Sequence, residues 1–133
     1  GDFFSLLNRV LKDDGILALA IPTATDNSSF SNLGILKFTW SSEHYSQKNI
    51  VNELSKNGFE IIESNDIGKN VYSPLAEYYI NNRSELQKKI LSRYSKYVEK
   101  ILFESMKKMQ SASENELIGY LMLKCKKLAL DSR

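Results

Sequence analysis

Apolar residues recur at helical spacing at the start of the chain, at Phe3, Leu6, Leu7, Val10 and Leu11. This period predicts a helix from about Asp2, which can cap it, to Lys12. The residues Asp13-Asp14-Gly15 then stop the helix, and we expect Gly15 to take the left-handed conformation past its end.

A continuous apolar run, Ile16–Pro22, follows this turn and has the length of a strand. Strands buried on both faces have this pattern, because helices cover each side of a parallel sheet. Residues 23–45 are polar and show no sustained period, and a loop of that length is often functional. A second helix is predicted from the N-cap Ser46 to Asn57, and a second strand over residues 59–67.

The pattern changes after Pro74, where a helix is predicted to run to about Gln110 with a break near residues 81–84. An apolar stripe (Leu86, Ile90, Tyr94, Tyr97, Ile101) and a basic stripe (Lys89, Arg93, Lys96, Lys100) follow it. Residues 115–130 close the chain as a strand near a sheet edge. We therefore divide the chain into an α/β core over residues 1–73, a helical insertion over 74–114 and a last strand over 115–130.

Composition indicates the general class of protein but not its function. The chain has 133 residues, 42% hydrophobic and 26% charged, which suits one globular domain. Its net charge of +2 is too small to indicate a nucleic-acid partner. No apolar run reaches the roughly 18 residues of a membrane span. A single cysteine, Cys125, favours the reducing cytoplasm.

Three segments together resemble the C-terminal half of class I S-adenosylmethionine-dependent methyltransferases. The segment "LLNRVLKDDGILALAIPT" is similar to their helix and fifth strand, although it has Asp-Asp-Gly where Pro-Gly-Gly is usual. "NELSKNGFEIIESNDIGKNV" is similar to the next helix and sixth strand, and "ELIGYLMLKCKK" to the final antiparallel strand. The loop from Trp40 to Tyr45 and "YSPLAEYY" resemble small-molecule methyltransferases of the sterol, tocopherol and sarcosine type.

The resemblance implies the last three strands of a doubly wound, Rossmann-like α/β sheet of seven, the final one antiparallel, with a helical insertion before it. S-adenosylmethionine would be held mainly by a Gly-rich turn and an acidic residue in the first half. The six glycines of this chain are scattered and form no G-x-G pair. We therefore expect the fragment alone to bind no cofactor and to be inactive.

The resemblance also implies an open sheet edge. In the family the fifth strand pairs with the fourth, which has no counterpart in this sequence. The apolar strand 16–22 would then expose unpaired backbone groups, which is a template for pairing with another chain. We expect the isolated chain to self-associate through this strand.

Candidate site residues cluster in the long loop and at the end of the first strand. His44 is a candidate general base for the methyl acceptor, or a solvent-exposed loop histidine. Trp40 is a candidate for stacking on the acceptor or sulfonium, or an apolar plug. Pro22 and Thr23 follow the carboxyl end of the strand, where open α/β sheets bind ligands, and Tyr45 ends the resembling loop.

A second group of candidates opens the helical insertion, which covers the acceptor pocket in similar enzymes. Tyr78 and Tyr79 are candidates for contacts with a small-molecule acceptor, or are ordinary packing residues. Arg83 is a candidate for a bidentate contact with an acidic acceptor, or a surface charge. The basic stripe is a candidate for phosphates or anionic lipid, or a solvated helix face.

Two alternatives to a small-molecule methyltransferase remain open. The first is a non-catalytic interaction module that docks a partner through its helical arm, an alternative supported by the lack of a cofactor motif. A methyltransferase acting on RNA would require the basic stripe to face the nucleic acid, and the composition makes that partner the less favoured one.

Overall fold

The computed structural model describes residues 2–24, 33–39 and 45–129. The helices and strands, in chain order, are α1 (Asp2–Val10), β1 (Ile16–Ala24), α2 (Leu36–Thr39), β2 (Tyr45–Ser46), α3 (Gln47–Lys56), β3 (Phe59–Asp66), α4 (Gly68–Asn81), α5 (Arg83–Leu91), α6 (Lys96–Glu114) and β4 (Ile118–Lys127). They form two compact units. The sheet unit contains α1, β1, β2, α3, β3 and most of β4, and the helical unit contains α2, α4, α5 and α6.

The strands form one sheet in the order β2-β1-β4-β3. β1 and β2 are parallel, whereas β3 and β4 are antiparallel. Lys127, at the end of β4, accepts from the Asp14 amide and donates to the Gly15 carbonyl, so β4 ends where β1 begins and the two strands run in opposite directions. The predicted α/β class with a final antiparallel strand is confirmed, and that strand lies one position inside the sheet edge.

The core of the sheet unit is apolar. Its buried cluster consists of Ile50, Leu54, Phe59, Leu121, Leu123 and Cys125. Phe4 and Leu7 of α1 pack against this core, as does Leu11, which directly follows the helix. The other apolar stripe of α1, formed by Phe3, Leu6 and Val10, is exposed.

Among the described residues, apolar side chains cover one face of β1. Leu17, Leu19 and Ile21 pack against the core, while the alternating residues from Ile16 to Pro22 are exposed. The expectation that both faces are covered is therefore wrong for this chain, because its helices supply apolar partners to one face of the strand.

Of two turns in the sheet unit, the one after α1 differs from the prediction and the one after α3 agrees with it. Asp14 has a φ of 60°, so it, and not Gly15, is left-handed. Gly15 is needed for space, since a Cβ there would lie 2.7 Å from the Lys12 carbonyl oxygen. After α3, Gly58 has a φ of 79° and ends the helix as predicted.

The helical unit begins earlier and is more broken than the sequence pattern indicated. α4 starts at Gly68, before the predicted start, and carries Pro74 inside it. The predicted break lies at Asn82, but a second break at residues 92–95 was not predicted. The apolar stripe of residues 86–101 therefore crosses two helices, and its C-terminal members Tyr94, Tyr97 and Ile101 are exposed.

Candidate functional site

The carboxyl end of β1 brings two of the predicted site residues together. Thr23 and Tyr45 are register partners in the parallel pairing of β1 with β2. The Thr23 side chain is buried, with the residue only 1% exposed, whereas Pro22 is exposed. The Thr23 hydroxyl has no hydrogen-bond partner within the described part of the chain. A buried hydroxyl without a partner is costly, so this end of β1 holds a polar group that a ligand can satisfy.

The remaining two loop candidates, Trp40 and His44, lie outside the described residues. Their predicted roles stay predictions. Asp66, at the end of β3, accepts from the Tyr120 amide at 3.1 Å and from the Gln47 side chain at 2.8 Å. These contacts give its carboxylate a structural task within the sheet unit.

A second polar cluster is centred on Glu99 in the helical unit, which is 2% exposed. Arg83 donates to it twice, from Nε to Oε1 at 2.8 Å and from Nη2 to Oε2 at 3.0 Å. Tyr79 donates its hydroxyl to Oε1 at 3.3 Å, and Gln87 donates from Nε2 to Oε2 at 3.2 Å. α4, α5 and α6 each contribute to this cluster, so it ties the three helices together.

The charges in the Glu99 cluster compensate one another. The hydrogen bonds from Arg83 lower the pKa of Glu99 against the opposing effect of burial. Burial, with the negative charge of Glu99 beside it, raises the pKa of the Tyr79 hydroxyl. The Arg83 guanidinium also stacks on Phe103, 3.5 Å from the ring centroid. In this cluster each carboxylate oxygen of Glu99 accepts two hydrogen bonds, so the buried carboxylate is satisfied.

The three candidate acceptor-binding residues of the helical unit therefore lie in different environments. Arg83 and Tyr79 both donate to Glu99, whereas Tyr78 is 61% exposed. Sequence reasoning missed Glu99 as the centre of this cluster. A signal was present, because Glu99 shares a helical face with Met106 and Met109 at i+7 and i+10, and a carboxylate on an apolar face needs a cation.

The described residues were also compared with the requirements of a metal site, a reactive thiol and a membrane-spanning helix. No group of three or more His, Cys, Asp or Glu side chains there is placed to hold a metal ion. Burial raises the pKa of the Cys125 thiol, which keeps it protonated and unreactive. None of the helices that the structure describes has both the length and the apolar character needed to cross a membrane.

Comparison with known proteins gives a clear result for the fold. No family model matches the sequence, and no curated protein matches it. Among solved structures, the cyclopropane synthase MmaA2 from Mycobacterium tuberculosis superposes over 95% of this chain and 49% of its own, with a TM-score of 0.80 and 16% identity.

Two further similar structures are methyltransferases with their ligands. Phosphoethanolamine N-methyltransferase 2 of Haemonchus contortus, with S-adenosylhomocysteine, has a TM-score of 0.73 and 15% identity over 95% of this chain and 29% of its own. Geranyl diphosphate C-methyltransferase of Streptomyces coelicolor, also with S-adenosylhomocysteine, has a TM-score of 0.71 and 12% identity over 96% and 42%. This chain has the fold of the C-terminal half of a class I methyltransferase.

Within the methyltransferase order, β1, β3 and β4 correspond to the fifth, sixth and seventh strands. The chain spans about half the length of the first similar structure, 49%. The sequence has no Gly-rich turn of the kind that approaches the cofactor in this fold. The chain contains the carboxyl end of the fifth strand, at Thr23 and Ala24, and the helices that precede the last strand.

Proposed function

We propose that this chain is the C-terminal half of a cytoplasmic S-adenosylmethionine-dependent methyltransferase that acts on a small-molecule acceptor. The observation that carries the proposal is the methyltransferase half-fold with an open side on β1. Strand pairing on that side is limited, among the described residues, to Thr23 with Tyr45 and Ala24 with Ser46. The fourth strand of a complete methyltransferase sheet would occupy this edge.

The exposed apolar residues of the sheet unit support the same proposal. Phe3, Leu6 and Val10 line the uncovered side of α1, and Ile16 begins the uncovered face of β1. Large apolar side chains exposed on both elements are what a missing layer of structure would leave, so we expect further structure to cover them. The remaining half of a methyltransferase domain is an occupant of the right kind.

In this proposal each half of the domain contributes a different part of the active site. The other half holds most of S-adenosylmethionine, which supplies the methyl group as a sulfonium. The chain described here forms the acceptor side, where the Thr23 hydroxyl, Pro22 and Tyr45 bind and orient the acceptor. His44 accepts the acceptor proton and Trp40 packs over the acceptor. Tyr78, in the helical unit, stays a separate candidate for acceptor binding.

Arg83 and Tyr79 are proposed to act on the acceptor through Glu99 instead of by direct contact. Their donors hold the Glu99 carboxylate, which fixes α4 and α5 against α6. The shape of the helical insertion would then depend on this ion pair, and substrate choice would depend on that shape.

The proposal is tested by calorimetric titration of S-adenosylmethionine into the protein at its full natural length and into the 133-residue chain alone. We expect saturable binding by the full protein and none by the chain. Phosphoethanolamine, sarcosine and geranyl diphosphate would then be screened as acceptors through formation of S-adenosylhomocysteine. A full-length protein that binds no cofactor would refute the proposal and favour the interaction module.

Thr23→Val tests the acceptor end of β1, because it removes a hydroxyl while keeping the shape of the side chain. With an acceptor found in the screen, we expect kcat/KM to fall by about tenfold, equivalent to one lost hydrogen bond of about 1.4 kcal/mol. Ser113→Ala is the matched control, since its buried hydroxyl also lacks a partner in the described part of the chain. Equal effects of both substitutions would contradict the proposed role of Thr23.

We also propose that the isolated chain self-associates through residues 16–22. The free edge of β1 and the apolar residues beside it are the surfaces available for this contact. Light scattering after size-exclusion chromatography at micromolar concentration is expected to give a mass above that of a monomer. A Pro substitution at Ala20 should reduce this mass, and a strictly monomeric wild-type chain would refute the proposal.

A further inference from the structure

We propose that the connection between α5 and α6 docks this protein on an anionic lipid surface. Every residue from Leu91 to Val98 is exposed. This run includes two tyrosines, Tyr94 at 61% and Tyr97 at 68% exposure. Exposed aliphatic residues flank them in sequence, at Leu91, Val98 and Ile101. We call residues 88–101 the docking segment.

The exposed charge of the docking segment is entirely positive. Its basic residues are Lys88, Lys89, Arg93, Lys96 and Lys100. Glu99 is the acidic residue in this stretch of sequence, and its carboxylate is buried and held by Arg83. The neighbouring acid Glu85 lies just outside the segment and pairs with Lys89 at 3.4 Å. The ion pair with Arg83 thus keeps the segment's own carboxylate, Glu99, away from its exposed surface.

A shallow depression of about 520 Å³ lies beside the docking segment, within the helical unit. Two lysines, Lys96 and Lys100, and two aromatic residues, Tyr97 and Phe103, line it together with the Arg83–Glu99 pair. Glu104 also lines it, but pairs with Lys107 at 2.9 Å. Ammonium groups next to aromatic rings suit a phosphate headgroup above its acyl chains.

The combination of side chains favours lipid over nucleic acid. Tyrosine and lysine occur in both kinds of interface, since bases stack on aromatic rings and phosphates attract lysine. Leu91, Val98 and Ile101 gain little from bases and phosphates but are stabilised when inserted at the boundary of headgroups and acyl chains. Tyrosine is also enriched at that boundary, where its ring is buried and its hydroxyl stays hydrated.

This inference goes beyond the proposed methyl transfer and does not depend on it. A surface-bound protein could act on a lipid or simply be localised there. Binding to vesicles and binding of S-adenosylmethionine are separate measurements, so either proposal can fail alone.

The first test is co-sedimentation of the full-length protein with vesicles of phosphatidylcholine and 30% phosphatidylglycerol, or of phosphatidylcholine alone. We expect binding to the anionic vesicles that weakens as salt is raised. The double variant Lys96→Glu/Lys100→Glu should weaken binding by about tenfold or more. The control Lys12→Glu/Lys48→Glu changes the net charge equally at exposed positions outside the segment, and should bind within about twofold of wild type.

The second test separates apolar insertion from charge alone. Tyr94→Ser should lower vesicle binding severalfold, because the ring no longer enters the interface. Tyr78→Ser is the matched control, since Tyr78 is the same residue type with the same 61% exposure but lies outside the segment. Circular dichroism would verify that each variant keeps its helices.

Three results would overturn the proposal. The first is failure of the wild-type protein to sediment with anionic vesicles. The second is equal weakening of binding by the two charge variants. The third is binding of a single-stranded RNA oligonucleotide without binding of vesicles, which would assign the segment to nucleic acid. Loss of vesicle binding in both segment variants, with both controls retained, is the result that supports it.

Discussion

The sheet unit and the helical unit are stabilised in different ways. The sheet unit is built on an apolar cluster in which Leu54 and Cys125 are fully buried. The interior of the helical unit includes Glu99, Ser105 and Ser113 as well as apolar residues. Apolar burial is insensitive to pH, whereas a buried ion pair depends on the charge of both partners. The two units should therefore respond differently to mutation and to acid.

The largest expected effect is loss of stability in the sheet unit on Leu54→Ala. Leu54 is buried between α3 and the sheet, so the substitution removes apolar contacts and leaves a cavity. We expect the free energy of unfolding to fall by about 3 kcal/mol, within the usual range for buried leucines. Hydrogen exchange of the β3 and β4 amides would measure the loss. Val51→Ala, at an exposed position of the same helix, should cost under about 1 kcal/mol. Equal losses would contradict an apolar core centred on Leu54.

The same contrast explains how far the sequence predicted the structure. In the sheet unit, α1 and α3 each have one dominant period, and α3 has recognisable ends in the Ser46 cap and the Gly58 turn. In the helical unit the pattern was misleading, because Glu99 is buried while Tyr94 and Tyr97 are exposed. A prediction from the apolar stripe alone makes Tyr94 and Tyr97 buried and Glu99 exposed.

The candidate site was only partly predictable for a related reason. The carboxyl end of β1 follows from strand order, so Thr23 was accessible to sequence reasoning. The bond between Arg83 and Glu99 joins residues on different helices, and no local period specifies such a pair. The burial of β1 was also misjudged. A continuous apolar pattern indicates that a strand is buried, but it does not show which residues cover each face.

The second expected effect is acid sensitivity confined to the helical unit. The pKa of Glu99 is lowered in the folded state, chiefly by the hydrogen bonds from Arg83. Its stabilising effect is therefore complete above the unfolded pKa of about 4.3 and is lost as the pH falls through the lower folded value. We expect the protection of α6 amides from hydrogen exchange to decrease below about pH 4.3.

Glu99→Gln sharpens this prediction. It removes the charge and keeps the size, so the helical unit should lose about 2 kcal/mol at pH 7 and show less of the acid-dependent loss. Glu85→Gln is the control, because Glu85 makes an exposed ion pair with Lys89. An unchanged acid response in Glu99→Gln would show that another group controls the stability of these helices.

A smaller effect is expected from the partly buried cation of the sheet unit. The Lys127 ammonium donates to the carbonyl oxygens of Asn8 at 2.7 Å and Leu11 at 2.8 Å, at the C-terminal end of α1. Lys127→Met should keep the packing and lower stability by about 1–2 kcal/mol, because those carbonyls and the helix dipole lose a cation. Hydrogen exchange at the end of α1 is the measurement. Lys126→Met, at an adjacent position paired with Asp14, should change it less; a larger effect there would contradict this role.

The smallest effect concerns the start of α3. The Ser46 hydroxyl accepts from the Asn49 amide at 3.1 Å, which satisfies one of the free amides of the first helical turn. Ser46→Ala should lower stability by about 1 kcal/mol through loss of this cap. Ser55→Ala, at an exposed position inside the same helix, should be neutral or slightly stabilising, since alanine favours the helix. Thermal unfolding of both variants decides the point. If the two substitutions had the same effect, the start of α3 would be fixed by its pairing with the sheet through β2, and the cap predicted from the sequence would contribute nothing measurable.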